Sequence, residues 1–144
     1  MSDISLVQKS DGSYDWDVST GDLSHGDDLA SAVMISMLTD GLADDTHTTI
    51  AFNRRRGWWG SYLLIGYFGF QAWTCFEEAV DTTTLQNKLI NYTTQALTWL
   101  VTEGTVKNID VTVTLTGHLK AIIQITLTEP DENQKSYAIF WKNI

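Results

Sequence analysis

Strand-like alternation of apolar and polar positions opens the chain. Apolar residues occupy every second position over residues 4–6 and over residues 14–18, where Asp15 and Asp17 fill the positions between. The two runs flank Ser10-Asp11-Gly12-Ser13, a cluster typical of tight turns. This pattern predicts an antiparallel β-hairpin. One face of its second strand is aromatic and the other is acidic, so we expect one side to contact water.

Two later segments carry apolar residues at helical spacing. In the first, Leu29, Val33 and Met37 form one line, Asp27 is the expected N-cap, and Gly41 is the expected stop. The second is expected from about residue 84 to residue 103, with Gly104 ending it. Its buried positions are expected to be Leu85, Leu89, Tyr92, Ala96, Trp99 and Leu100.

The last third of the chain is β-like. Alternating runs cover residues 109–115 and 121–127, and a third strand is expected over residues 137–141. The sequence therefore predicts one α+β domain spanning residues 1–144. It has an N-terminal β-hairpin and two main helices, which pack on a small antiparallel sheet formed largely by the C-terminal third.

The apolar pattern also predicts a strand register. A two-residue Gly117-His118 turn would set Val113 opposite Ile122 and mix apolar with polar positions on one face. A shift by one residue sets Val113 opposite Ile123, which keeps the apolar side chains together. We therefore expect an odd-length loop, most simply Gly117-His118-Leu119, or a bulge near it. The third strand would lie beside this hairpin and leave an open edge.

Charge is distributed unevenly. Residues 1–50 contain ten Asp and one Lys, so they carry 1 − 10 = −9, whereas the eight acidic and eight basic residues of 51–144 cancel. An acidic front end disfavours nucleic acid and anionic membranes as partners, although it also serves plain solubility. No signal peptide is expected, and the longest apolar run, residues 62–70, is too short to span a bilayer.

The segment Arg56-Gly57-Trp58-Trp59-Gly60 resembles a motif of the small baseplate proteins of Mu-like contractile phages, a family related to the sheath-initiator wedge protein of T4-like phages. The resemblance extends to Gly21-Asp22-Leu23, to the helix beginning near Leu29, and to residues 96–101 followed by Gly104. It covers nearly the whole chain in the same order. One departure is Ser61, where the family usually has an acidic residue.

The resemblance implies a structural, non-enzymatic protein of the virion tail baseplate, assembled in the host cytoplasm in multiple copies. Implied partners are other baseplate wedge proteins, tail tube or hub proteins, and the first sheath ring. The residues expected to bind partners are Arg54, Arg56, Gly57, Trp58, Trp59 and Gly60. Three interpretations of the motif remain open: partner contact, internal packing of both Trp rings, and stacking on a single nucleic acid strand.

Residue patterns that indicate catalysis or metal binding are missing from the sequence. Its three histidines are isolated, and Asp11, Asp15 and Asp17 do not have calcium-loop spacing, so we expect no metal and no cofactor. The single cysteine, Cys75, lies among apolar residues and is expected to be a buried, inert thiol. Two functional alternatives remain: a tail-associated peptidoglycan-degrading, lysozyme-like enzyme, and a free regulatory binding module of the host.

Overall fold

The computed structural model describes residues 4–18, 21–23, 26, 28–44, 55–60, 68–78 and 80–142. The chain forms two compact units, Met1–Ile35 and Ser36–Ile144. The α+β class is confirmed, whereas a single domain over the whole chain stays a prediction. In order, the elements are β1 (Leu6–Gln8), β2 (Tyr14–Trp16), α1 (Asp28–Leu38), a 3₁₀ helix (Gln71–Trp73), α2 (Thr74–Glu77), α3 (Thr82–Thr102), β3 (Asn108–Gly117), β4 (Lys120–Thr128) and β5 (Gln134–Lys142).

The predicted N-terminal hairpin is confirmed. β1 and β2 pair antiparallel, with Leu6 opposite Trp16. Gly12 has a φ of 86°, which glycine adopts without a steric penalty, and the Asp11 side chain accepts a hydrogen bond of 2.8 Å from the Ser13 N–H. The turn chemistry read from the sequence therefore fixes this hairpin.

Helix α1 buries the predicted line of side chains, because Leu29, Val33 and Met37 are each at most 5% exposed. The expected N-cap Asp27 lies outside the described residues. The expected role of Gly41 is wrong: the helix ends at Leu38, and Gly41 is not in the left-handed conformation of a glycine cap. Gly41 instead lies against Gly69, since a Cβ on it would come within 3.0 Å of the Gly69 carbonyl carbon and oxygen.

Helix α3 begins two residues before the predicted start, because Asp81 caps it by accepting a hydrogen bond of 3.0 Å from the Thr84 N–H. Its end is as predicted: Gly104 has a φ of 76°, and its N–H donates to the Val101 carbonyl oxygen. The helix buries Leu85, Leu89, Thr93, Ala96, Leu97 and Leu100. This face packs on the adjacent strand β3.

The C-terminal sheet has the strand order β3-β4-β5, all antiparallel. The predicted register is confirmed: Val113 lies opposite Ile123, and Leu115 opposite Ala121. A three-residue loop is wrong, because Gly117 pairs with Lys120 and the register shifts between Leu115 and Gly117. The bulge alternative is therefore the correct one.

One face of this sheet forms the core of the second unit. Ala121, Ile123, Ile125 and Leu127 on β4 are fully buried, and Trp141 on β5 stacks on Phe76 with ring centroids 4.7 Å apart. Gln86 of α3 donates a hydrogen bond of 2.8 Å to the Val113 carbonyl oxygen. The part of the chain that the structure describes contains no helix long and apolar enough to cross a membrane.

Candidate protein-binding site

The Arg-Gly-Trp-Trp-Gly segment forms a loop anchored to the stretch that follows α1. Of the six residues expected to bind partners, Arg54 lies outside the described residues and the other five are described. The N–H of Ala43 donates a hydrogen bond of 3.0 Å to the Arg55 carbonyl oxygen. Ala43 itself is fully buried beside Trp73. The start of the loop is therefore held against the core of its own unit.

Arg56 links the loop to two carboxylates distant in sequence. Its guanidinium nitrogens lie 3.6 Å from Asp40 Oδ2 and 3.8 Å from Glu77 Oε1, and its Cζ lies 4.8 Å from the centre of the Trp73 ring. The Trp73 Nε1–H donates a hydrogen bond of 2.7 Å to the Gly41 carbonyl oxygen, which fixes the ring beneath the arginine. Each ion pair is half-exposed and individually weak. Together with the cation–π contact they hold Arg56 within its own chain.

The backbone at Arg56 and Gly57 turns sharply. Arg56 has a φ of 49° and Gly57 a φ of 100°. Residues with a Cβ rarely adopt the value at Gly57, whereas glycine adopts it without a steric penalty. A Cβ on Gly57 would also lie 3.0 Å from the Leu42 Cβ and 3.1 Å from the Leu42 Cα. Glycine is needed here for both reasons, so the direction in which the loop presents its tryptophans is set by the backbone.

Trp58 folds back over the loop. A Cβ on Gly60 would lie 2.2 Å from Trp58 Cη2, so the indole ring occupies the space that any side chain at residue 60 would need. The ring also contacts Phe68 at a centroid distance of 5.8 Å, and Phe68 contacts Trp99 of α3 at 6.5 Å. Trp58 is 37% exposed. It is therefore part of the packing that supports the loop.

Trp59 has a different environment. Its ring contacts Trp58 at a centroid distance of 5.2 Å, yet 75% of the residue remains exposed. Adjacent tryptophans therefore have different surroundings although their rings are in contact. Among the exposed large apolar residues that the structure describes, Trp59 has the largest exposed fraction.

A pocket of about 550 Å³ lies beside the loop. Charged groups of the lining come from Asp40, Arg56, Glu77 and Lys142, and aromatic walls include Phe70, Trp73 and Trp141. Glycoside hydrolysis requires a carboxyl group kept protonated by an apolar setting. Asp40 and Glu77 instead share one guanidinium and are about half-exposed, so this pair lacks that setting.

The two remaining kinds of candidate chemistry are a reactive thiol at Cys75 and a metal site. Cys75 is 1% exposed, and burial raises the pKa of its thiol to about 11, so the unreactive protonated form dominates at neutral pH. No group of three or more His, Cys, Asp or Glu side chains able to hold a metal ion occurs within the described ranges.

The surroundings of the motif were not predictable from local patterns. Asp40 and Glu77, which pair with Arg56, and Leu42, which excludes a side chain at Gly57, lie far from the motif in sequence. Ser61, at the position where an acidic residue is usual, lies outside the described residues. Arg56 has carboxylate neighbours without it.

Comparison with known proteins gives three findings. The family model described as phage protein GP46 matches residues 29–134, a range that includes the loop. The chain is 28% identical over 144 residues to the Mu-like prophage FluMu protein gp46 of Haemophilus influenzae, covering 98% of each chain. It is 33% identical over 111 residues to the baseplate protein gp46 of Escherichia phage Mu, covering 76% of each chain.

Proposed function

Because the chain belongs to the GP46 family of phage proteins, we propose that it acts in a contractile tail by binding its neighbours, without catalysis. The relative from phage Mu is named a baseplate protein, and this relationship supports a structural role in the baseplate of the virion tail. The finer assignments proposed here are a wedge position and a contribution to the start of sheath assembly. The relation to T4-like sheath initiators stays a prediction.

Trp59 carries the proposal that the loop binds a partner. A tryptophan that is 75% exposed leaves a large apolar surface in water, and burial of that surface in a complex stabilises the complex. Tryptophan is also enriched among the few residues that dominate binding energy. In this proposal the Trp59 ring enters a pocket on another baseplate protein.

The other motif residues give Trp59 its position. Arg56 ties the loop to Asp40 and Glu77, and Gly57 allows the sharp turn against Leu42. Trp58 packs over Gly60. A loop held in one conformation loses little conformational entropy when it binds. We therefore assign positioning roles to Arg56, Gly57, Trp58 and Gly60, with Arg54 retained as a proposed contact.

The proposed partners are other wedge proteins, tube or hub proteins and the first sheath ring, with several copies of the chain in each baseplate. A second proposed contact is the edge strand β5, which pairs with β4 on one side only within the described sheet. An open edge can accept a strand from another chain. The other edge strand of this sheet is β3, where the Val113 carbonyl oxygen already accepts a hydrogen bond from Gln86 of α3.

A complementation experiment tests the loop. Phage lacking this gene is supplied with wild-type protein, Trp59→Ala or Trp59→Phe, and the amount of this protein in purified tails is measured by quantitative mass spectrometry. Loss of an interface anchor costs about 2 kcal/mol or more of binding, or about a 30-fold loss of affinity. We expect Trp59→Ala to be depleted from tails and Trp59→Phe to be partly retained.

Val101→Ala serves as the matched control, because Val101 is also exposed at 41% but lies on α3 outside the loop. It should be incorporated like the wild type. Normal incorporation and infectivity of Trp59→Ala would refute the role of the loop.

A separate assay tests the non-enzymatic role. Purified protein should release no more peptidoglycan fragments than a buffer control. Activity that disappears when one carboxylate is replaced would refute this role.

A further inference from the structure

Two lysines face each other across β4 and β5. Lys120 lies opposite Lys142, and both are exposed. Like charges at directly opposed sheet positions repel. Neither lysine has an ion-pair partner among the described residues, whereas the other four lysines of the chain do; their pairs are Lys9–Asp15, Lys88–Glu78, Lys107–Glu132 and Lys135–Glu129. The isolated protein therefore gains no stability from these two charges.

The next row of the same sheet face is apolar. Ile122 lies opposite Phe140, and residues two apart on a strand share a face, so both lie beside the lysines. Phe140 is 55% exposed. We call these four residues, Lys120, Ile122, Phe140 and Lys142, the lysine patch. It combines an exposed aromatic ring with two uncompensated positive charges.

The two lysine side chains lie beside different parts of the fold. The stem of Lys120 lies against β3, because a Cβ on Gly117 would be 3.7 Å from Lys120 Cδ. Lys142 instead lines the pocket beside the Arg-Gly-Trp-Trp-Gly loop. A partner that neutralises both charges therefore has to present more than one carboxylate, which points to an acidic segment and not to a single anion.

The size of the patch favours a protein segment over nucleic acid. Proteins that bind nucleic acid present a wider basic surface, whereas residues 51–144 have no net charge. A protein segment can supply carboxylates for the lysines together with an apolar side chain for Phe140. Complementary charge and an exposed aromatic ring at one place are typical of a protein interface.

Carboxylates of a second copy are poor candidates for this partner, because most of those that the structure describes are already bound within their own chain. Those in ion pairs are Asp15, Asp40, Glu77, Glu78, Glu129 and Glu132. Those that accept hydrogen bonds from backbone N–H groups include Asp11, Asp81 and Asp131. The complementary carboxylates therefore belong to a different protein.

We propose that the lysine patch binds an acidic segment of a different baseplate protein. Carboxylates of that segment pair with Lys120 and Lys142, and an apolar side chain of it covers Phe140. This contact rests on the function proposed above, since the neighbour is taken from the baseplate. It uses none of the motif residues, so the two contacts can be tested separately.

Zero-length crosslinking of purified tails tests this contact. A carbodiimide joins a lysine amine directly to a carboxylate in contact with it, and mass spectrometry of the digested tails identifies both residues. We expect Lys120, Lys142 or both to be linked to Asp or Glu residues of a different baseplate chain. Lys107 is the internal control, because it pairs with Glu132 of its own chain and should form that link in tails and in the isolated protein.

Variants measure what the two charges contribute to assembly. In competition with wild-type protein, Lys120→Gln/Lys142→Gln should be depleted from tails about tenfold, while its unfolding temperature is unchanged or raised because the repulsion is gone. Lys107→Gln/Lys135→Gln makes the same change in net charge elsewhere and should be incorporated like the wild type. Replacing the linked carboxylate with lysine should restore the incorporation of Lys120→Glu/Lys142→Glu.

Three results would overturn the proposed contact while leaving the proposed function intact. The first is that both lysines stay unlinked although the Lys107–Glu132 link forms. The second is that they are linked only to a second copy of this chain. The third is equal depletion of the two glutamine variants. Absence of the chain from purified tails would instead refute the function and this contact together.

Discussion

The indole ring of Trp58 covers the α-carbon of Gly60, so that a Cβ at residue 60 would lie 2.2 Å from Trp58 Cη2. The two residues are thus coupled: the ring can pack against Phe68 only while residue 60 has no side chain. Gly60 therefore leaves the space that the Trp58 ring occupies, and the packing of that ring supports the loop that carries Trp59.

Gly60→Ala should lower the free energy of unfolding by about 1–3 kcal/mol, the usual cost of overpacking. Chemical denaturation measures this. Gly117→Ala is the control, because a Cβ there would meet Lys120 Cδ at an ordinary 3.7 Å. In a Trp58→Ala background, Gly60→Ala should cost much less, since the clashing ring is gone. An equal cost in both backgrounds would contradict the coupling.

The two tryptophans should differ in their effect on the isolated protein. Trp59→Ala should change the free energy of unfolding by no more than about 0.5 kcal/mol, as at other exposed sites. Trp58→Ala should cost about 1–3 kcal/mol, below the roughly 3–5 kcal/mol of a fully buried aromatic, because its ring is 37% exposed. Equal and large losses from both variants would support internal packing of both rings.

A buried threonine pair allows a matched comparison in the core. The Thr93 hydroxyl has no hydrogen-bond partner within the described residues, whereas the Thr74 hydroxyl donates 2.8 Å to the Gln71 carbonyl oxygen. Both residues are fully buried. Thr93→Val should raise the free energy of unfolding by about 1 kcal/mol, and Thr74→Val should lower it by a similar amount. Thermal unfolding of the two variants measures the contrast, and a loss from both would contradict it.

The cap of α3 should depend on pH. Hydrogen bonds from the Thr84 hydroxyl and N–H lower the pKa of the Asp81 carboxyl below its usual value of 3.8. A carboxyl group with a lowered pKa in the folded state adds stability above pH 3.8, and this is lost as the pH falls through the folded-state pKa. Asp81→Ala should therefore lower the unfolding temperature at neutral pH, and the difference from the wild type should shrink below about pH 4. A difference constant from pH 7 to pH 2 would contradict this.

Elements whose signals are local could be predicted from the sequence. The β3–β4 register follows from apolar alternation, because a slip by one residue would expose Val113 and Leu115. The end of α3 follows from Gly104, which adopts the expected left-handed conformation. In both cases neighbouring residues alone determine the outcome.

Features that depend on distant residues could not be predicted. Gly41 was expected to stop α1, yet its role is close approach to Gly69, which only the folded chain brings near. The short helices over Gln71–Trp73 and Thr74–Glu77 lie in or beside an apolar run without helical periodicity. The positions of Asp40 and Glu77 beside Arg56 likewise depend on the tertiary fold. The motif was recognisable from the sequence, but the different environments of its two tryptophans were not.

Trp59 in an assembled tail provides the most direct test of the central claim that this chain works in the baseplate by binding its neighbours. Cryo-electron microscopy at side-chain resolution measures the surface of its indole ring left accessible to water. We predict that another baseplate chain lies within about 4.5 Å of the ring and covers most of the 75% that is exposed in the isolated protein. A Trp59 ring that remains in solvent, with no other chain in contact, would contradict the account.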